Sequence, residues 1–190
     1  MERSIARRLG ILRAAAEAFR RYGFADTGMR EIAEVADLSP GNLYYYFANK
    51  QELLFFCQDY SLDLMIESVG ELQHKRMSAD ERLRKIIERQ LRFMLEELDG
   101  AAAHLEVDAL PVLMRARIIK KRDTYEALMR KVIVEGMRTS VFRRVDAGLV
   151  TRAILGAINW TARWYRPGGP QPVAEVASAF ADYLVRGLLK

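Results

Sequence analysis

The residues best suited to chemistry lie between Ser39 and Lys50, in the stretch SPGNLYYYFANK. Ser39 before Pro40 reads as a helix start, because Ser accepts a bond from a free N–H and Pro suits the first helical position. With Leu43 placed at 0° and an advance of ~100° per residue, Phe47 and Pro40 fall within about 60° of it, and that side is the buried one. Gly41, Asn42 and Tyr45 fall opposite, at about 160°, 260° and 200°, with Tyr44 and Tyr46 on the flanks. The outer face therefore offers an amide, phenols and a glycine at which another surface can approach the backbone. Asn can pair with a base edge and Tyr hydroxyls can reach phosphate oxygens, so the chemistry on offer is hydrogen bonding to nucleic acid. Lys50 adds a charge at the start of the next helix, whose free N–H groups suit a phosphate. The same tyrosines also suit half-buried packing on a small module, and periodicity alone does not choose.

Catalysis has little to draw on. His74 and His104 are isolated, and no Ser–His–acid or metal-ligand spacing occurs. Glu96 and Glu97 are adjacent and diverge around a helix, and the GGP at 168 follows no strand, so it is a turn and not a phosphate loop. The expectation is a protein that is not an enzyme and needs neither cofactor nor metal.

The elements that must hold these residues are helices. About half of the 190 residues are apolar, 29% are charged and the net charge is +5. That allows nucleic acid as a partner without demanding it. β-branched alternation is absent, no apolar run approaches the ~20 residues that span a bilayer, and the N-terminus has no apolar leader. The one cysteine, Cys57, fits a reducing, cytoplasmic setting. The first helix is SIARRLGILRAAAEAFRRYG, with Ile5, Leu9, Leu12, Ala16 and Phe19 on one stripe and Gly23 as its stop. The second is TGMREIAEVA, capped by Gly28 or Thr27 with Glu31 as the reciprocal acid, and with Ile32, Val35 and Ala36 inward. After a turn with Asp37 at a left-handed position comes the helix from Pro40 to Phe47. Asn49 caps a long fourth helix. Helix, short turn, helix of this size is the arrangement whose second helix enters the DNA major groove. Further helices are expected over 79–98, 101–110, 112–139, 146–165 and 173–189, with RPGGPQP as a break. The fold class is all-α: a three-helix helix-turn-helix domain, 1–50, joined by a long helix to a larger bundle, 51–190.

ILRAAAEAFRRYGFADTGMREIAEVADLSPGNLYYYFANKQELL resembles, along almost its full length, the DNA-binding domain of the TetR family of transcriptional regulators. The match rests on the stripe ending in Phe19 and Gly23, on Thr27, REIA, LSPGNLYYYF, and Lys50 before Leu53. It departs at Gly28, where Ser or Thr is usual, at Asp37, where Gly is usual, and at Tyr46, where His is common. The resemblance implies DNA contacts from Thr27, Arg30, Ser39, Pro40, Gly41, Asn42, Tyr44, Tyr45, Tyr46 and Lys50. It also implies a homodimer on a near-palindromic double-stranded operator, a small-molecule effector held by the larger domain, and no membrane.

The last two helices are the dimerisation candidates. Ala153, Gly156 and Ala157 allow close helix approach, and the final helix offers Val176, Ala177, Phe180, Tyr183, Leu184 and Leu188; a monomeric bundle would show a similar pattern. NWTARWYRPGG sets Trp160 and Trp164 four residues apart with Arg163 between them. It is similar to the TetR branch that controls fatty-acid and steroid breakdown, whose effectors are acyl-coenzyme A thioesters. RARIIKKR, Arg115 to Arg122, could receive coenzyme A phosphates, with Phe93, Met94, Met114, Tyr125 and Met129 lining an acyl slot. The plainer reading of that charge run is a solvated helix face, and of the tryptophans a core or interface. Two rivals are a small-molecule binding protein with a vestigial helix-turn-helix, and a DNA-binding regulator that answers to an apolar, drug-like cation.

Overall fold

A computed structural model describes residues 2–97, 106–166 and 168–190. Among them are eight α-helices: α1 (Glu2–Tyr22), α2 (Met29–Val35), α3 (Pro40–Tyr46), α4 (Lys50–Gln73), α5 (Ala79–Arg92), α6 (Val112–Arg138), α7 (Ala147–Trp164) and α8 (Val173–Arg186). The described residues contain no strand, only a single bridge between Phe142 and Leu189. None of the described helices is long and apolar enough to cross a membrane. No group of His, Cys, Asp and Glu among the described residues is placed to hold a metal ion.

The described residues form two compact units, Met1–Ser61 with Glu97–Ile119, and Leu62–Glu96 with Lys120–Lys190. In the first, α1 packs on α2 and α2 on α3. Leu12, Ala16 and Phe19 are buried as the stripe requires, and Ile11, Ala15 and Ala18 widen it. Gly23, at φ 81°, ends α1 with its N–H on the Phe19 carbonyl at 2.9 Å. α2 is capped at Gly28, whose N–H donates to the Glu31 carboxylate at 3.0 Å. Ile32 points inward as expected, but its buried companion is Ala33; Val35 and Ala36 are only half-buried, because the helix ends there. The turn is closed by Asp37 at φ 51°, with the Leu38 N–H on the Ala33 carbonyl at 2.9 Å. Asp thus fills the left-handed position that glycine more often takes, since its short polar side chain tolerates it.

In the second unit α5 lies along α8 and also meets α7. Ser78 and Glu81 cap α5, and Leu83, Ile87, Leu91 and Met94 form its buried stripe. Regular α-helix stops at Arg92 and continues as a π-helical turn, Phe93–Glu97. Arg82 pairs with Glu135 at 2.6 Å and Arg84 with Asp182 at 2.7 Å, the latter tying α5 to α8. α8 ends at Arg186, earlier than its apolar pattern suggests. Residues 187–189 are drawn off to meet Arg143, whose N–H donates to the Leu188 carbonyl at 2.8 Å and whose Nε donates to Gly187 at 2.9 Å. Of the helix expected over 101–110, residues 101–105, with His104, lie outside the described residues, and Val107–Ala109 is a 3-10 turn. Leu98, Pro167 and the side chains of Ile5, Glu96 and Glu97 lie outside them too.

Candidate nucleic-acid interface

α3 is built as a short helix with one buried edge. Ser39 caps it, accepting the Asn42 N–H at 3.2 Å, and Pro40 occupies its first position. Leu43 (0% exposed) and Phe47 (2%) anchor it. Pro40, which the helical wheel puts on the buried side, is exposed, because the first turn overhangs the core. Opposite the anchors, Tyr45 is 83% exposed and Tyr44 is also out in solvent. Asn42 is exposed, and Tyr46 is half-buried with its ring edge-on to Tyr45 at 5.1 Å. A Cβ added to Gly41 would meet nothing within 4 Å, so the fold does not itself demand a glycine there; the bare backbone faces outward. An exposed amide, two exposed phenols and an open stretch of backbone are held by two fully buried residues. Such a surface can donate to and accept from the edge of a nucleic acid groove.

The neighbouring expectations divide. Arg30 and Ser39 are exposed. Thr27 is not available: it is 1% exposed, and its hydroxyl donates to the Gly23 carbonyl at 2.6 Å, which braces the loop between α1 and α2. Lys50 is half-buried and largely engaged. Its ammonium donates to the Phe24 and Ala25 carbonyls at 2.6 and 3.1 Å and sits 4.4 Å from the centre of the Phe24 ring. At the start of α4, the Glu52 N–H is already satisfied by Asn49 at 2.8 Å, and Glu52 accepts the Ala48 N–H at 2.7 Å. That helix start is capped from within and has fewer free donors for a phosphate than the sequence alone suggests. Sequence reasoning passes over Arg7, which lines a cleft with Leu38, Asn42, Tyr45 and Tyr46. The signal available is only an exposed Arg on α1.

The expected effector residues fall in both units. Met94, Tyr125 and Met129 are core residues of the second unit, and the Tyr125 hydroxyl donates to Gln90 Oε1 at 2.8 Å. Burial pushes the Tyr125 phenol well above its ordinary value. Phe93 is half-buried in the same unit, and Met114 belongs to the other. Trp160 is 66% exposed, and Trp164 and Arg163 are exposed as well, although the Trp164 ring lies 6.1 Å from that of Phe180. The basic run is also largely committed. Arg115 pairs with Asp108 at 3.6 Å, Arg117 with Asp59 at 3.1 Å and Lys121 with Asp63 at 2.6 Å. Ion pairs along a helix face account for these charges without a phosphate ligand.

Of the dimer candidates on α7, Ala153 and Gly156 are exposed and Ala157 is half-buried. The buried face of α7 is Thr151, Ile154, Ile158 and Thr161. At ~100° per residue, Leu149, Ala153, Gly156 and Trp160 fall within about 40° of the direction opposite Thr151. All four are exposed. On α8, Tyr183 is 79% exposed, with Phe180 and Leu184 half-buried beside it. Val176, Ala177 and Leu188, offered by the sequence for the same role, are buried within the chain instead.

Residues 11–55 match the family described as bacterial regulatory proteins, tetR family, and residues 76–188 match the tetracyclin repressor-like C-terminal domain. The chain is 28% identical to the HTH-type transcriptional repressor KstR2 of Mycobacterium tuberculosis over 193 residues, covering 97% of this chain and 94% of that protein. It superposes on the TetR family transcriptional regulator PfmR of Thermus thermophilus with a TM-score of 0.84 and 31% identity, over 95% of this chain and 99% of that one. Its likeness to AibR, crystallised with isovaleryl coenzyme A and operator DNA, has a TM-score of 0.80 at 25% identity, over 96% and 98% of the two chains.

Proposed function

The chain belongs to the TetR family of bacterial regulatory proteins, and from that premise we propose that it is a ligand-responsive transcriptional repressor that binds a near-palindromic operator as a homodimer. The observation that carries the proposal is α3 itself. A helix anchored by Leu43 and Phe47 alone turns Asn42, Tyr44 and Tyr45 into solvent, where packing gains nothing from them. Burying Tyr45 would release apolar area from water; leaving it exposed is explained by a partner that covers it. Residues 1–50 form the reading head in this proposal, and 51–190 the effector and dimerisation domain.

The stripe Leu149, Ala153, Gly156 and Trp160, with Tyr183 on α8, supplies the seam between two copies. Small residues at Ala153 and Gly156 let two helices approach, and Trp160 and Tyr183 supply apolar area to bury. Two copies related by a two-fold axis present two α3 helices to half-sites about 34–36 Å apart, or a multiple of that. The effector class is an acyl-coenzyme A thioester, supported by the likeness to AibR, crystallised with such a thioester. Because α4 is one helix from Lys50 to Gln73, an effector that selects one placement of its later turns biases the earlier ones. Operator affinity then falls by population shift.

Selection of fragments of host genomic DNA on the wild-type protein, followed by titration of the retained complex with isovaleryl and long-chain acyl-coenzyme A, tests both halves. Enrichment of one fragment and its release by a thioester at micromolar concentration are expected. Failure to enrich any fragment contradicts the repressor; enrichment without release by any thioester contradicts the effector class alone.

A further inference from the structure

Arg7 and Arg8 sit side by side on α1 and have opposite employments. The Arg8 guanidinium carbon lies 5.4 Å from the centre of the Phe47 ring and 5.6 Å from that of Phe56. One of its terminal nitrogens is 3.5 Å from the Tyr46 carbonyl oxygen. Arg8 thereby joins α1 to the end of α3 and to α4, and fixes which way its neighbour faces. Arg7, ~100° further round α1, is exposed, and no acid among the described residues pairs with it. Its side chain borders a cleft of about 390 Å³ shared with Leu38, Asn42, Tyr45 and Tyr46.

The position of that cleft is informative. Around α3, Tyr45, Asn42 and Tyr46 occupy the sector from about 200° to 300° from Leu43, whereas Tyr44 lies near 100°. The cleft therefore runs along one flank of the helix only. A helix lying in a major groove about 12 Å wide has a sugar–phosphate strand beside each flank. We propose that Arg7 binds a backbone phosphate of the strand running along the Asn42–Tyr46 flank. A guanidinium is matched to phosphate by charge and by its forked donors. Among the described residues nothing takes up those donors of Arg7, while Lys50 spends two of its own on the α1–α2 loop. This inference rests on the DNA-binding reading above and adds one contact to it.

Anisotropy titrations of wild type, Arg7→Ala and Arg7→Lys use the duplex enriched from genomic DNA and a mixed-sequence duplex. Each phosphate contact contributes about 0.9 to the slope of log affinity against log salt, so between about 50 and 200 mM salt Arg7→Ala should lose about 3.5-fold less affinity per protomer than wild type. Arg7→Lys keeps the charge and should keep the slope. The loss in Arg7→Ala should be the same on both duplexes, because a phosphate has no base identity. An unchanged slope in Arg7→Ala overturns the proposal whatever happens to affinity. So does a slope lost equally in Arg7→Lys, or a loss confined to one duplex, which would make Arg7 a base reader. A wild-type protein that binds neither duplex overturns the DNA-binding reading instead.

Discussion

At the scale of single residues, α3 separates anchoring from recognition with little overlap. Leu43 and Phe47 are the packing residues, and Tyr45, at 83% exposed, gives the fold almost nothing. Tyr45→Ala should leave stability within about 0.5 kcal/mol of wild type, as exposed substitutions do. Its operator affinity should fall about 5- to 150-fold, the loss of one good contact of about 1–3 kcal/mol. Chemical denaturation and anisotropy read the two quantities separately. An equal loss of both would make Tyr45 a packing residue after all. Thr27 and Lys50 show the reverse relation, since a residue type suited to phosphate contact is used here to brace the loop between α1 and α2. Nothing in the sequence near Thr27 signals that the Gly23 carbonyl will reach its hydroxyl, because that meeting is made by the path of the loop.

At the scale of elements, the helix ends are legible and the exceptions are tertiary. Asp37, Ser39, Asn49, Ser78 and Asp146 terminate or start helices by local chemistry, which sequence records directly. The early end of α8 is not legible, since it depends on Arg143, more than forty positions away. The same region hinges on Gly136. A Cβ there would collide with the Phe142 ring, and Phe142 is itself buried. Gly136→Ala should therefore destabilise by about 1–3 kcal/mol, despite alanine's better helix propensity, because the core cannot yield that space. A melting temperature lower by several degrees is the expected reading; a raised one would mean that Phe142 moves freely. The α5–α8 pair is pH-sensitive through Asp182. Hydrogen bonding from Arg84, then from Arg186, holds its carboxyl below the ordinary value of 3.8. A depressed carboxylate stabilises the fold above its unfolded value, and that contribution drains away as pH falls through the folded one. Asp182→Asn should thus lower the melting temperature at about pH 7, by a deficit that shrinks as pH falls through the carboxylate range. A deficit that persists unchanged at low pH would show that the pair is not the cause.

At the scale of the whole molecule, the all-α architecture is readable because helical periodicity repeats in almost every segment. The effector set is less so. Met94, Tyr125 and Met129, offered by the sequence as the lining of an acyl slot, are buried, yet a buried residue belongs to a core as readily as to a pocket, and burial alone does not separate the two. Trp160 shows the complementary limit: four-residue spacing from Trp164 does not say which way the pair faces, and its outward direction follows from which face of α7 the core takes. The function proposed for the whole molecule is sequence-specific DNA binding. Anisotropy titration of the wild-type protein against its enriched duplex and a mixed-sequence duplex of equal length, at physiological salt, measures it most directly. An affinity for the enriched duplex at least about 10³-fold higher is the expected result, as for specific readers generally. Equal affinity for the two duplexes would contradict the claim, because charge alone would then explain the binding.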